Sequence, residues 1–174
     1  MKILIVDDHP KRYERLIAAL RDLGIARDCL EIVGCSTVAR EYIEKSRYDL
    51  LILDILIPFR PETDEDVQHS VDLLFEIREG ELTNAPRYIL GITADPVVAK
   101  DALQQFEDWT WTVLNYSESS DEWVARAANC ARFILSQPSS SDATAVCRSR
   151  SGAVGTARPA SGPWTTGSSS TSRR

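Results

Sequence analysis

Lysine is scarce in this chain of 174 residues: only Lys2, Lys11, Lys45 and Lys100 occur, against 26 acidic residues, and the net charge is −6. The charge is also unevenly spread. Fifteen basic and 25 acidic residues precede Gln137, a net charge of −10, whereas five basic and one acidic residue follow, net +4. An acidic globular part argues against nucleic-acid binding, which draws on basic surface. Cysteine is sparse as well, and Cys29, Cys35, Cys130 and Cys147 show neither a C-x-x-C spacing nor a histidine partner. No zinc site or disulfide framework is suggested, and a reducing cytoplasm is the simplest compartment. The two histidines, His9 and His69, are isolated and read as surface or loop residues. No apolar run approaches membrane-spanning length, and Met1 leads into a short strand pattern instead of a signal peptide, so no membrane association is expected.

From Gln137 onward Leu, Ile, Phe and Lys are all missing, while ten Ser, five Thr, five Arg and four Gly crowd the segment. Such a composition cannot bury enough apolar surface to offset the entropy of ordering the chain, so residues 137–174 are expected to form a disordered Ser/Arg/Gly-rich tail. A flexible linker, a solvated tail, or a GC-rich message read in the wrong frame with loss of a downstream effector would each have this composition. Residues 1–136 are then one domain of ordinary size.

Within that domain, apolar strand-like runs alternate with helical periodicity. Lys2 to Val6 (KILIV) is a strand; Tyr13, Leu16, Ile17, Leu20 and Leu23 then recur at helical spacing until Gly24. Leu30 to Gly34 reads as a second strand, and Ser36 or Thr37 is placed to cap a helix carrying Val38, Ala39, Tyr42 and Ile43. The third strand lies in Asp49 to Pro58 (DLLILDILIP), followed by a loop from Phe59 to Asp72 and a helix from about Ser70 to Glu79, with Leu73 and Ile77 sharing the buried contact. Tyr88 to Thr93 (YILGIT) is the fourth strand, Pro96 opens a helix to about Phe106, and Thr110 to Asn115 is the fifth strand. Trp109 and Trp111 read as packing residues. Ser119 to Glu122 opens a last helix with Trp123, Ala127, Cys130, Phe133 and Ile134 at core-facing intervals. Regular strand–helix alternation predicts a parallel sheet with right-handed crossovers, a flavodoxin-like (βα)5 three-layer sandwich of order 2-1-3-4-5.

The chemistry concentrates at strand ends. Asp54 is a lone carboxylate among Leu50, Leu51, Ile52, Leu53 and Ile55, and Asp7 and Asp8 follow the first strand directly. A charge at the end of a covered strand is costly unless a cation or water reaches it, and the carboxyl edge of a parallel sheet is where open α/β folds gather ligands. Three such acids suggest a divalent-cation pocket.

ILIVDDHP, then DLLILDILIP with Pro58 four positions after Asp54, then GITA at Gly91 to Ala94, together resemble the receiver domain of two-component response regulators. The resemblance runs from Met1 to about Ser136. It implies Mg²⁺ held by Asp7, Asp8, Asp54 and the backbone carbonyl of Leu56, with Asp54 as phosphoacceptor and Thr93 as a hydrogen-bond donor to the phosphoryl group. The implied partners are a sensor histidine kinase or phosphotransfer protein and a downstream protein effector, with a homodimer as a further option. A signalling domain of this kind is not an enzyme acting on other substrates.

Three departures stand against that pattern. The family places a lysine at the end of strand five; here the equivalent is Asn115 in one register and Tyr116 in the other, with Asn115 preferred for its amide donor. A neutral contact is about half as strong as a charge-assisted one. The family's switch aromatic falls on Thr112 or Val113, neither of them aromatic. The loop after Pro58 is also longer than the family's tight turn, so it could cover the site, bind a partner, or project into solvent. A degenerate receiver acting as a phosphorylation-independent interaction module is therefore the alternative reading. An aspartyl-nucleophile hydrolase is disfavoured because its phosphatase form wants a second Asp two residues after the nucleophile on the first strand.

Overall fold

The computed structural model describes residues 1–95, 97, 100, 104, 106 and 112–137. Its elements are β1 (Ile3–Val6), a 3-10 turn (Pro10–Tyr13), α1 (Glu14–Asp22), β2 (Leu30–Val33), α2 (Ser36–Lys45), β3 (Leu50–Asp54), β4 (Ile57–Pro58), β5 (Glu65–Asp66), α3 (Val67–Glu79), β6 (Tyr88–Thr93), β7 (Thr112–Asn115) and α4 (Glu122–Ser136). The main sheet is parallel, in the order β2-β1-β3-β6-β7. With the small β4–β5 pair set aside, this is the expected order 2-1-3-4-5.

The all-apolar strands hide a strict two-residue alternation. Ile3 and Ile5 of β1 and Leu50 and Ile52 of β3 join Leu16 and Leu20 of α1 and Trp123, Ala127, Ala131 and Ile134 of α4 on one face. Leu4, Val6, Leu51 and Leu53 turn to the other face, against Ala39 and Ile43 of α2 and Val71, Leu73, Leu74 and Ile77 of α3. Strands covered on both sides have no polar face to show, which is why periodicity alone could not orient them. Each fully buried Leu or Ile contributes on the order of 1.5–3 kcal/mol. Carrying the alternation past each strand end puts Asp7 and Asp54 on the α1/α4 face and Asp8 on the other.

Several boundaries differ from expectation. Helix α3 starts at Val67, not near Ser70, because Asp66 caps it, its Oδ1 accepting from the Gln68 N–H at 2.8 Å. Ser36 and Thr37 do not cap α2; Cys35 holds the cap position, and both hydroxyls donate instead to the Phe59 carbonyl. The segment read as a loop begins as a hairpin, with Ile57 opposite Asp66 and Pro58 opposite Glu65 in antiparallel pairing. His69 consequently sits in α3, half-buried, with Nδ1 3.0 Å from the Ile57 carbonyl. In α4, Phe133 is 55% exposed, and Val124, Ala128 and Ala131 supply the buried contact in its place. Leu73 and Ile77 are buried as expected. Of the helix expected from Pro96, Lys100, Gln104 and Phe106 are helical and Phe106 is fully buried; its remaining residues, apart from Val97, together with Trp109, Thr110, Trp111 and the tail after Gln137, lie outside the described residues. Among the described residues, no helix is long and apolar enough to cross a membrane.

Candidate functional site

Parallel pairing brings the carboxyl ends of β1, β3 and β6 to one edge. Val6 lies opposite Leu53 and Asp54 opposite Ile92, so Asp7, Asp54 and Thr93 emerge together. All three are nearly inaccessible, at 1%, 3% and 2% exposed. Thr93 Oγ1 accepts from the Asp95 N–H at 3.2 Å, leaving its own O–H to donate. A pocket of about 50 Å³ over Asp54 is lined by Arg12, Leu56, Glu65, Thr93, Ala94 and Asp95.

Each carboxylate oxygen of Asp54 has a donor. Leu56 N–H donates to Oδ1 at 3.2 Å, and Arg12 Nη1 donates to Oδ2 at 2.7 Å. The same Nη1 reaches Asp7 Oδ2 at 3.2 Å, while the His9 N–H holds Asp7 Oδ1 at 2.6 Å. Arg12 thus lies between the two acids that share the α1/α4 face. Burial, and then the charge of Asp7, pushes the Asp54 carboxyl up to about 7, against the opposing pull of the Leu56 N–H and Arg12. Burial works against the Arg12 charge, but Asp7 and Asp54 outweigh it and hold the guanidinium more firmly protonated than usual. Fully buried Tyr13 is raised well above the ordinary phenol range, first by burial and then by Asp7 and Asp54.

Asp8 turns to the opposite face. His9 Nδ1 lies 2.9 Å from its Oδ1, and Glu65 of β5 meets it from the hairpin. Burial, then the Asp8 carboxylate, raises the Glu65 carboxyl. Asn115 is paired in register with Thr93, yet it is exposed and lines a separate depression with Val113, Ser117, Glu122 and Arg126. Tyr116, the other candidate for the lysine position, lies under Arg12, with the guanidinium carbon 5.5 Å from its ring centre.

The donor chemistry fits a hard divalent cation. Asp7, Asp8 and His9 present ligand atoms within 4.8 Å of one another, and carboxylate oxygens are what Mg²⁺ prefers. Asp54 reaches this group through Arg12. Leu56, expected to offer its carbonyl, uses its N–H to hold Asp54.

Arg12 and Glu65 are the site residues that sequence reading missed. Arg12 stands four residues beyond Asp8, at the turn into α1, outside any strand-end pattern. Glu65 was one acid in an acidic stretch with nothing to mark it.

No protein-family model matches the chain. It is 29% identical over 126 residues to an uncharacterized protein, y4jS, of Sinorhizobium fredii, covering 72% of this chain and 30% of that protein. The chain therefore spans less than a third of that relative's length. Solved structures resemble it more informatively. A putative response regulator from Chloroflexus aurantiacus is 27% identical with a TM-score of 0.53, covering 78% of this chain and 98% of that one. The chain carries a receiver domain. The signal receiver domain of the putative response regulator NarL from Mycobacterium tuberculosis is 25% identical, TM-score 0.50, over 75% of this chain and 95% of that one. The Francisella response regulator 1452 receiver domain shares the fold at 15% identity, TM-score 0.54, over 76% of this chain and 94% of that one. The receiver domain here combines the expected acids at the sheet edge with an arginine between two of them.

Proposed function

We propose that this receiver domain accepts a phosphoryl group on Asp54 from a phosphohistidine on a sensor kinase or phosphotransfer protein, in the cytoplasm, and signals through changed protein contacts. The observation that carries the reading is the position of Asp54: at the carboxyl end of β3, at the floor of a small pocket, beside the Thr93 hydroxyl and an arginine. An Asp54 oxygen attacks phosphorus, the P–N bond breaks, and the departing imidazole keeps the electron pair and takes a proton. Leu56 N–H and Arg12 orient the carboxylate for that attack. The Thr93 O–H is placed to donate to a phosphoryl oxygen. Asp7, Asp8, Asp54 and the Leu56 carbonyl would hold Mg²⁺, which when bound supplies charge neutralisation at the transferring group. The domain turns over no separate substrate in this reading.

The second reading, a phosphorylation-independent interaction module, is favoured by one observation: Arg12 already neutralises Asp54, and Asn115 stands away from the pocket. Intact mass after incubation with Mg²⁺ and acetyl phosphate separates the two. A phosphate-sized gain in the wild type and none in Asp54→Ala supports the acceptor; no gain in either, with Mg²⁺ binding confirmed separately, supports the module.

A further inference from the structure

We propose that Arg12 is the phosphoryl-binding cation of this pocket, doing from the α1 side what the absent strand-end lysine would do from β7; the proposal rests on the acceptor reading of Asp54. Three features carry it. Arg12 Nη1 is already bonded to the reacting carboxylate, at 2.7 Å from Asp54 Oδ2. Among the described residues, the Nη2 and Nε groups of Arg12 donate to no protein group, although the side chain as a whole is only 22% exposed. A guanidinium offers five N–H donors in a planar fork that matches phosphate oxygens, so much of its capacity is unspent. Third, Arg12 is a shared wall. It lines the pocket of about 50 Å³ over Asp54 and also a groove of about 500 Å³ outside it, with Asp8, His9, Lys11, Tyr116 and Glu118.

The Tyr116 ring lies under the guanidinium, and Pro10 opens the 3-10 turn that fixes the backbone at Arg12. A phosphoryl group entering from the outer groove meets Arg12 before it meets Asp54. In transfer from acetyl phosphate, the Asp54 O–P bond forms, the P–O bond to acetate breaks, and acetate leaves with the electron pair; no proton moves. The phosphoryl group brings negative oxygens to the place where Arg12 previously held a carboxylate oxygen. Its bond to Asp54 is exchanged for bonds to the phosphoryl group without the side chain leaving the pocket.

The competing role is a lock, in which Arg12 merely occupies the acids in the resting state. The two differ in what removal does. Wild type, Arg12→Ala, Arg12→Lys and Arg15→Ala are incubated with acetyl phosphate at saturating Mg²⁺, and the rate of mass gain is followed; Arg15 pairs with Asp121 at 2.7 Å and serves as the charge-matched control. Mg²⁺ affinity is measured by calorimetry without donor. We expect Arg12→Ala to slow phosphorylation at least tenfold while binding Mg²⁺ several-fold more tightly, Arg12→Lys to recover part of the rate, and Arg15→Ala to stay within twofold of wild type. Equal or faster phosphorylation of Arg12→Ala overturns the proposal and leaves the acceptor reading standing. If the wild type gains no mass, both fall together. Near-ultraviolet circular dichroism confirms that each variant is folded, and for an unfolded Arg12→Ala the rate of Arg12→Gln replaces it under the same criterion.

Discussion

Replacing Asp54 by Asn should stabilise the domain, and by an amount that depends on pH. The Asp54 carboxyl is raised from 3.8 to about 7, chiefly by burial and the charge of Asp7. A carboxyl with a raised folded-state value gives the folded state its full stability only below the unfolded value. That stability drains away as pH rises toward about 7, because the unfolded chain ionises freely while the folded one resists. The whole effect is about 4 kcal/mol, of which the larger part, about 3 kcal/mol, accrues between pH 5 and pH 8. Arg12 does not need separate treatment, since its attraction for the ionised form is already contained in the value of about 7. Asn has nearly the shape of the acid and never ionises, so Asp54→Asn should gain about 3 kcal/mol more over wild type at pH 8 than at pH 5. Urea unfolding at both pH values, in a chelator so that no divalent cation screens the acids, reads this difference directly. A gain that is the same at both pH values, or larger at pH 5, would refute the account of a strained buried carboxylate.

Other sites are sharper tests of packing. A Cβ at Gly91 would lie 3.0 Å from Phe106 Cε1 and 3.0 Å from Val113 Cγ2, so Gly91→Ala should cost about 1–3 kcal/mol in chemical unfolding. An unchanged midpoint would mean that β6 and Phe106 are not so close. Glu62, in the connection from β4 to β5, has a φ of +71°, a conformation that L-residues adopt at a cost. Glu62→Gly should therefore stabilise by about 0.5 kcal/mol, the relief exceeding the added chain entropy; a loss of stability would show that the Glu62 side chain is the more important feature.

The fold was legible because it depends on pattern. Four- to six-residue apolar runs alternating with helical periodicity leave few topologies, and the right-handed crossover rule selects among them. The hairpin was not legible, for an equally physical reason. β4 and β5 have two residues each, and Glu65 and Asp66 are both exposed, so there is no alternation of apolar and polar positions to detect. Phe133 misled in the opposite way. Its helical spacing fits a core face, yet Ala127, Ala128 and Ala131 take the buried positions and Phe133 stays at the rim, edge-on to Tyr88 at 6.2 Å.

At the site, legibility followed chain geometry again. Asp7, Asp54 and Thr93 were found because each ends a strand, and a parallel sheet gathers strand ends without help from any side chain. Arg12 ends nothing. Its place depends on the 3-10 turn Pro10–Tyr13, whose tighter winding shifts the side chain away from where a continuous α-helix from Pro10 would put it. Yet the alternation that orients β1 and β3 also implies that a compensating cation was needed on the α1 side. Asp7 and Asp54 both fall on the face that α1 covers, and two carboxylates so near each other and so deeply buried require positive charge from the elements around them. The strand-end lysine is missing from β7, and α1 follows β1 by a single turn. An arginine in that turn is the shortest route by which this chain can bring a fixed positive charge to both acids at once.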